Sequence, residues 1–371
     1  MEHDFKKPNG LIIESKYQID EPFSKGGMSS ELYSGHLVDK PDKKIIIKII
    51  YKTKETEKYW QRFIDETITN NRLAGRTNIV DTLDSFYSDN EIYIIMDHVE
   101  GKTLRHYLNN HGCIIPQVAI KVFREILIPI KIMHDFKHQI IHRDLKPENI
   151  IVSDDLTKVT LIDFGISSVI DNTLKTMSHD NTNLSRCITD EKDVWGTYSY
   201  LLPDLIDYDN NIEKAFKNGI TVEFDFFSLG VILYEMLIGE KPFIGDDNSK
   251  IMTYPKKYDM PPISQSNPHI PTRLENVVFR CLACKPEDKK YRFKNADEII
   301  HEIDEIIKFW GRPENNTPLI KPYRQRIYKG YQNFNIDFIK KKQPIIKQWY
   351  FFIIVICIVV VISISTIIVL K

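Results

Sequence analysis

The chain has 371 residues, 42% hydrophobic and 27% charged with a net charge of −1, an ordinary globular composition with room for one large domain or two lobes plus accessories. The charge is uneven: residues 312–348 hold nine lysines and arginines against Glu314 and Asp337, and Lys371 adds one more, so residues 1–311 carry −9. An acidic body with a basic tail excludes a uniformly basic nucleic-acid binder, and five cysteines without framework spacing fit a reducing compartment rather than a disulfide scaffold.

The opening "MEHDFKKPNG" lacks the apolar run of a secretory signal. From Tyr17, "YQIDEPFSKGGMSSELYSGHLV" and "KKIIIKIIY" read as strand, glycine loop, strand, turn and strand. Gly26 and Gly27 remove side chains where a backbone would approach something bulky and charged; a plain Gly-Gly hairpin has the same pattern. Lys48 sharpens the reading, because strand alternation inside "IIIKII" turns it away from its neighbours and burial demands a partner. A helix over 56–74 carries Glu66, which meets Lys48 if that helix lies beside the strand. A hairpin turning at Ser88–Asn90 follows, and helical periodicity resumes at "LRHYLNNHG" and runs through "QVAIKVFREILIPIKIMHDF".

That helix delivers the chain to "IHRDLKPENII", an acid, a base and an amide between two oily flanks. A polar loop fixed by rigid apolar ends more often carries chemistry than core contacts. Beyond it come Asp163 after the apolar strand of "KVTLIDFGIS", then "WGTYSYLLPD", then an apolar helix with Asp225 near its start. Cys281 and Cys284 form a lone CxxC at a helix end, without the second ligand pair that a zinc site needs. The order is a β-rich N-terminal lobe followed by a helical C-terminal lobe.

Residues 311–348, with Pro313, Pro318, Pro322 and Pro344 among basic and aromatic residues, read as a linker suited to an anionic membrane surface. Residues 350–370 are 21 uncharged residues, long enough for a bilayer core of about 30 Å as a helix. Trp349, Tyr350 and the preceding lysines mark the interface, and the positive flank puts everything before the span in the cytoplasm. A single-pass, C-terminally anchored membrane protein is expected. Ser363 and Ser365 permit close approach of a second copy, which leaves a homodimer open without arguing strongly for it.

Together these residues resemble a protein kinase of the Ser/Thr type, over about residues 17–308. The likeness rests on the glycine loop Phe23–Glu31, Lys48 and Glu66, and on His142-Arg143-Asp144 with Asn149. It continues through Asp163-Phe164-Gly165, Gly196-Thr197, Leu202-Pro203-Asp204, Asp225 and Arg292, all in the family's order. The resemblance implies an α+β, bilobal protein-kinase fold, with an N-lobe at about 17–99 and a C-lobe at about 100–308, followed here by the linker and the transmembrane helix. The "GGMSS" loop and the tail are similar to those of bacterial membrane-anchored Ser/Thr kinases.

What it implies for chemistry is ATP- and Mg²⁺-dependent phosphorylation of serine and threonine hydroxyls on cytoplasmic proteins. Asp144 would accept or orient the substrate proton, Lys146 would steady the transferring phosphoryl group, and Asn149 and Asp163 would hold Mg²⁺. Lys48, positioned by Glu66, would grip the α- and β-phosphates. ATP would lie under Phe23, Ser24, Lys25, Gly26, Gly27, Met28, Ser29, Ser30 and Glu31, against the hinge Asp97–Val99 with Met96 as gatekeeper. Three departures stand out: Ser24 replaces the first glycine, "SSELY" runs one residue long so that the local strand pairing is expected to shift, and Asp204 replaces a glutamate that would reach Arg292. Arg143 beside Asp144 awaits an anion, for which "SRCITDEKDVWGT" offers Thr189, an expected autophosphorylation site, and the standing carboxylate of Glu191. The rival is a pseudokinase acting as a membrane scaffold or ATP sensor, a role with no use for Lys48, Asp144, Asn149 and Asp163 together.

Overall fold

In the computed structural model the isoleucine run around Lys48 is the middle of a long strand, with alternate residues Ile45, Ile47 and Ile49 wholly buried on one face. The structure describes residues 5–26, 30–54, 56–57, 60, 64, 67, 71–137, 139–163, 168–169, 198–208, 212–219, 221–243 and 248–330. Strands β1 (Ile12–Ile13), β2 (Tyr17–Gly26), β3 (Ser30–Leu37), β4 (Lys40–Tyr51), β5 (Thr82–Tyr87) and β6 (Glu91–Asp97) form one antiparallel sheet, in the order β1-β2-β3-β4-β6-β5. Its period of two sorts the side chains. The outer face carries Tyr17, Ile19, Tyr33, Ile45, Ile47, Ile49, Tyr51, Tyr93 and Ile95, covered by Phe5 and Leu11 from the N-terminal segment. The inner face carries Ile50, Ile92 and Ile94 with Met96, Trp60 and Ile64. The pairing shifts, but on the other strand from the one expected: β2 slips against β3 between Ile19 and Glu21 and again between Pro22 and Ser24, while residues 30–33 of "SSELY" on β3 pair without a skipped residue.

The chain then becomes helical. Strand β7 (Lys102–Thr103) leads into α1 (Leu104–His111), and α2 (Pro116–His134) reaches β8 (Ile140–Ile141), β9 (Ile150–Val152), β10 (Val159–Leu161) and β11 (Ser168–Val169). Helices α3 (Ile212–Lys217), α4 (Glu223–Ile238), α5 (Asn248–Lys257), α6 (Ile263–Ser266), α7 (Thr272–Leu282) and α8 (Ala296–Lys308) follow. Helix α4 is buried all round from Phe224 to Leu237, as a helix without a polar face must be, and packs against α2 and α7. It stops at Gly239, whose left-handed φ of +86° lets its N–H return to the Glu235 carbonyl at 2.7 Å. Cys281 and Cys284 are buried where α7 ends, and burial pushes both thiols up to about 12.

The stretch expected to open the linker is instead tied to the body as far as Ile320. The Asn315 side chain donates to the Ile306 carbonyl, Thr272 donates to the Thr317 carbonyl, and Asn276 both donates to Pro318 O and accepts from Ile320 N. The chain divides into two units, 1–321 and 322–371; the structure describes the second as far as residue 330, in the helix α9 (Lys321–Gly330) that begins at the boundary. The expected transmembrane span 350–370 lies outside the described residues. Among those described, no helix is long and apolar enough to cross a membrane.

Candidate active site

The loop 142–149 hangs between β8, paired with β11, and β9, paired with β10, so the isoleucine pairs at its ends are anchored in strands. Asp225, fully buried near the start of α4, holds it from below. One carboxylate oxygen accepts from the His142 N–H at 3.0 Å and His134 Nε2 at 2.8 Å; the other accepts from the Arg143 N–H at 2.8 Å. Desolvation would raise the Asp225 pKa, but His134, His142 and the Arg143 amide override it and hold the carboxyl below its usual range. These bonds sustain Arg143 in a left-handed conformation, φ +64°. Burial pulls the His142 imidazole down, towards its neutral form, and its Nδ1 accepts the Asp144 N–H at 3.3 Å.

Asp144 is thereby presented with its carboxylate engaged from two sides. Lys146 Nζ lies 3.0 Å from one oxygen and 2.8 Å from the other, and Asn149 Nδ2 donates to the carboxylate and to the Asp144 carbonyl at 3.0 and 2.9 Å. The short turn Pro147–Asn149 sets this geometry by curling the amide back over the loop. With its nitrogen spent on Asp144, Asn149 keeps its side-chain oxygen for another ligand.

Across the cleft, Lys48 leaves the inner face of β4 and bonds the Asp163 carboxylate at 2.8 Å, joining the two lobes. Desolvation would raise the Asp163 pKa, yet Lys48, followed by Lys146 and His142, keeps it lowered and the group ionised. Asp163 also has a left-handed φ of +59°. Side chains from three distant segments, Lys48 of β4, Asp144 and Asn149 of the 142–149 loop, and Asp163, thus gather around one cleft.

Of the other expected residues, Met96 joins the inner-face cluster beside the cleft. Asp97 ends β6 with its N–H bonded to the Asp81 carbonyl at 2.9 Å, and Val99 follows outside any regular element. Phe23 is lifted out of the β2 ladder by the slip and stands 60% exposed, while Ser24, Lys25, Gly26 and Ser30 complete the strands that carry the loop. Glu31 requires a correction. It was expected over the nucleotide, but its carboxylate is buried on the outer face, accepting from the Tyr33 and Tyr51 hydroxyls, because β3 turns residue 31 away from the face of Lys48 and Leu32. Glu66, Gly27, Met28, Ser29, Phe164, Gly165, Thr189 and Glu191 lie outside the described residues.

One cluster escaped sequence reasoning. Arg105 on α1 bonds Glu148 at 2.7 Å, Glu235 of α4 at 2.7 and 3.2 Å, and the Tyr200 hydroxyl at 2.5 Å, walling one side of the catalytic loop. A signal was present: an acid within the apolar "GVILYEMLIG" had to be paired.

The protein kinase domain family matches residues 25–301. A Mycoplasma pneumoniae protein bearing a serine/threonine-protein kinase name is 32% identical over 349 residues, 86% of each chain. The serine/threonine-protein kinase PrkC of Bacillus subtilis is 28% identical over 79% of this chain and 41% of its own length. The serine/threonine-protein kinase PknB of Mycobacterium leprae is 34% identical over 56% of this chain and 29% of its own. The chain belongs to the protein kinase family, as a serine/threonine kinase of the bacterial type.

Proposed function

We propose that this kinase transfers the γ-phosphoryl group of ATP to serine and threonine hydroxyls of proteins while anchored to a membrane by residues 350–370. The observation that carries the catalytic part is the ion pair of Lys48 with Asp163 facing the Asp144, Lys146 and Asn149 cluster. Asp144 orients the incoming hydroxyl and takes its proton as the new oxygen–phosphorus bond forms and the bond from the γ-phosphorus to the β–γ bridging oxygen breaks, releasing ADP; Lys146 and Asn149 hold the Asp144 carboxylate still. Lys146, on the same side, balances charge developing on the phosphoryl oxygens. Lys48 binds the α- and β-phosphates, with Glu66 as its second partner. The residues fit Mg²⁺: an ionised Asp163 and the remaining oxygen of Asn149 are hard donors. When bound, Mg²⁺ neutralises phosphate charge. Gly26 and its neighbours close over the nucleotide, against Met96, Asp97 and Val99.

The domain limits we propose are 17–308 for the kinase domain, with N- and C-lobes at about 17–99 and 100–308, and a basic segment 311–348 leading to the anchor. Purified protein incubated with γ-³²P-ATP should label itself or a Ser/Thr-rich acceptor protein, and Asp144→Asn should cut the rate by roughly 10²–10⁴. ATP binding with no transfer by the wild-type chain would instead favour a scaffold. We further propose that Thr189 is autophosphorylated and that Glu191 sustains basal turnover without it. Thr189→Ala should lower turnover in part, and Thr189→Ala with Glu191→Gln much further; an unmodified Thr189 in active enzyme, with full activity kept by the double variant, sinks the idea.

A further inference from the structure

The glycine loop is carried on two cross-strand pairs, Gly26 with Ser30 and, beneath it, Lys25 with Glu31. β2 slips twice just before Gly26, so the strand pair that carries the loop is irregularly registered along its length. Stiffness must come from whatever grips its base.

That grip is visible on the outer face of the sheet. The Phe5 ring sits edge-on to Tyr33 at 5.6 Å between centroids and beneath Lys25 Nζ at 5.4 Å. The Lys6 N–H gives the Glu31 carboxylate a third donor at 3.2 Å, beside the Tyr33 and Tyr51 hydroxyls. The Lys7 N–H donates to Tyr33 Oη at 3.1 Å, and its ammonium pairs with Glu91 at 2.7 and 3.0 Å. Further along, the segment is stitched to β2: Gly10 N–H to Ile19 O at 2.8 Å, Ile19 N–H to Leu11 O at 2.9 Å, then β1. An apolar cover for Ile45, Ile47 and Ile49 would need none of these polar bonds. Their concentration on the base of the loop, and a carboxylate taken to 5% exposure there, is the unexplained feature.

We propose that residues 5–11 are a positioning strap for the nucleotide loop, with Glu31 as the positioning residue that couples them. The strap holds Lys25 and Glu31, and through them fixes the height of the loop over the cleft. The inference rests on the reading that ATP lies beneath this loop. Glu31 itself touches no substrate.

The test uses the full chain in four forms: wild type, Glu31→Gln, a deletion of residues 1–9, and Ile13→Val, which trims the same outer core without touching the polar bonds. Amide hydrogen exchange of the ATP-free proteins and steady-state kinetics are measured. Glu31→Gln and the deletion should speed exchange at residues 25–32, while α8 keeps its rate. The KM for ATP should rise roughly tenfold, about the loss of one hydrogen bond to a charged group, with kcat changed less. Ile13→Val should lower the thermal midpoint and leave both readouts alone. Should the deletion not fold, Phe5→Ala takes its place. Wild-type exchange and KM in Glu31→Gln and in the deletion overturn the strap, as does an equal KM rise in Ile13→Val. Absence of ATP binding by the wild-type chain overturns the strap together with the reading on which it rests.

Discussion

Asp204 is a methylene shorter than the glutamate that the resemblance leads one to expect, yet its two oxygens take Nη1 and Nη2 of Arg292 at 2.9 and 3.1 Å. Lys289 adds a third contact at 2.8 Å, and the Arg292 Nε anchors on the Ala283 carbonyl at 2.6 Å. Desolvation opposes ionisation of Asp204, but Arg292 and then Lys289 override it and lower its pKa from the ordinary 3.8. A depressed folded pKa gives stability that is present above the unfolded value and lost as pH falls through the folded one. The wild-type chain should therefore lose this contribution only below about pH 4. Asp204→Asn, which leaves a buried guanidinium without its charge partner, should cost about 3–5 kcal/mol at neutral pH and show a shallower acid limb. Urea denaturation midpoints between pH 3 and 7 measure both. Parallel curves for the two proteins would mean that the pair contributes no pH-dependent stability.

Strands and helices differ in how much of them could be read. Strand β4 was legible because alternation around Lys48 is a local property, and the loop 142–149 was legible because its apolar flanks are adjacent in sequence. Glu31 was not. Four residues after Gly27 it reads as part of the loop, and its burial depends on the Lys6 N–H and the Tyr33 and Tyr51 hydroxyls, which reach it only in the folded sheet. Arg105 and Glu235 likewise meet only after α1 and α4 are assembled. Composition hides one attachment past the proposed domain limit: Pro313, Pro318 and their polar neighbours look like linker, yet hydrogen bonds that no pattern encodes fasten 315–320 onto α7 and α8. A protein ending at 320 should therefore outlast one ending at 311. Four lost bonds at about 1 kcal/mol each, and about 2 °C per kcal/mol for a domain of this size, imply a drop of several degrees. Differential scanning fluorimetry of the two truncations decides it; equal midpoints would show that the segment merely rests on the surface.

At the scale of the whole molecule, charge is segregated. Residues 312–348 hold nine basic side chains against two acidic ones, next to 21 uncharged residues, and the body before them is acidic. Under the proposed anchoring, an anionic bilayer would attract the first, accept the second and repel the third. The two attractions differ in their response to salt. Basic residues near an anionic surface contribute about 1 kcal/mol each and are screened as the Debye length falls from about 8 Å at 0.15 M to about 3 Å at 1 M. A buried helix is indifferent to salt. The full chain should stay with membranes through a 1 M NaCl wash. A chain ending at 348 should bind anionic vesicles at low salt, leave them at 1 M, and keep its kinase activity, since Lys48, Asp144, Asn149 and Asp163 all precede the tail. Sedimentation with phosphatidylserine vesicles and a parallel ³²P assay report both. Salt-resistant binding by the truncated chain would assign the anchor to residues before 349, and loss of transfer would mean that the span serves catalysis as well as location.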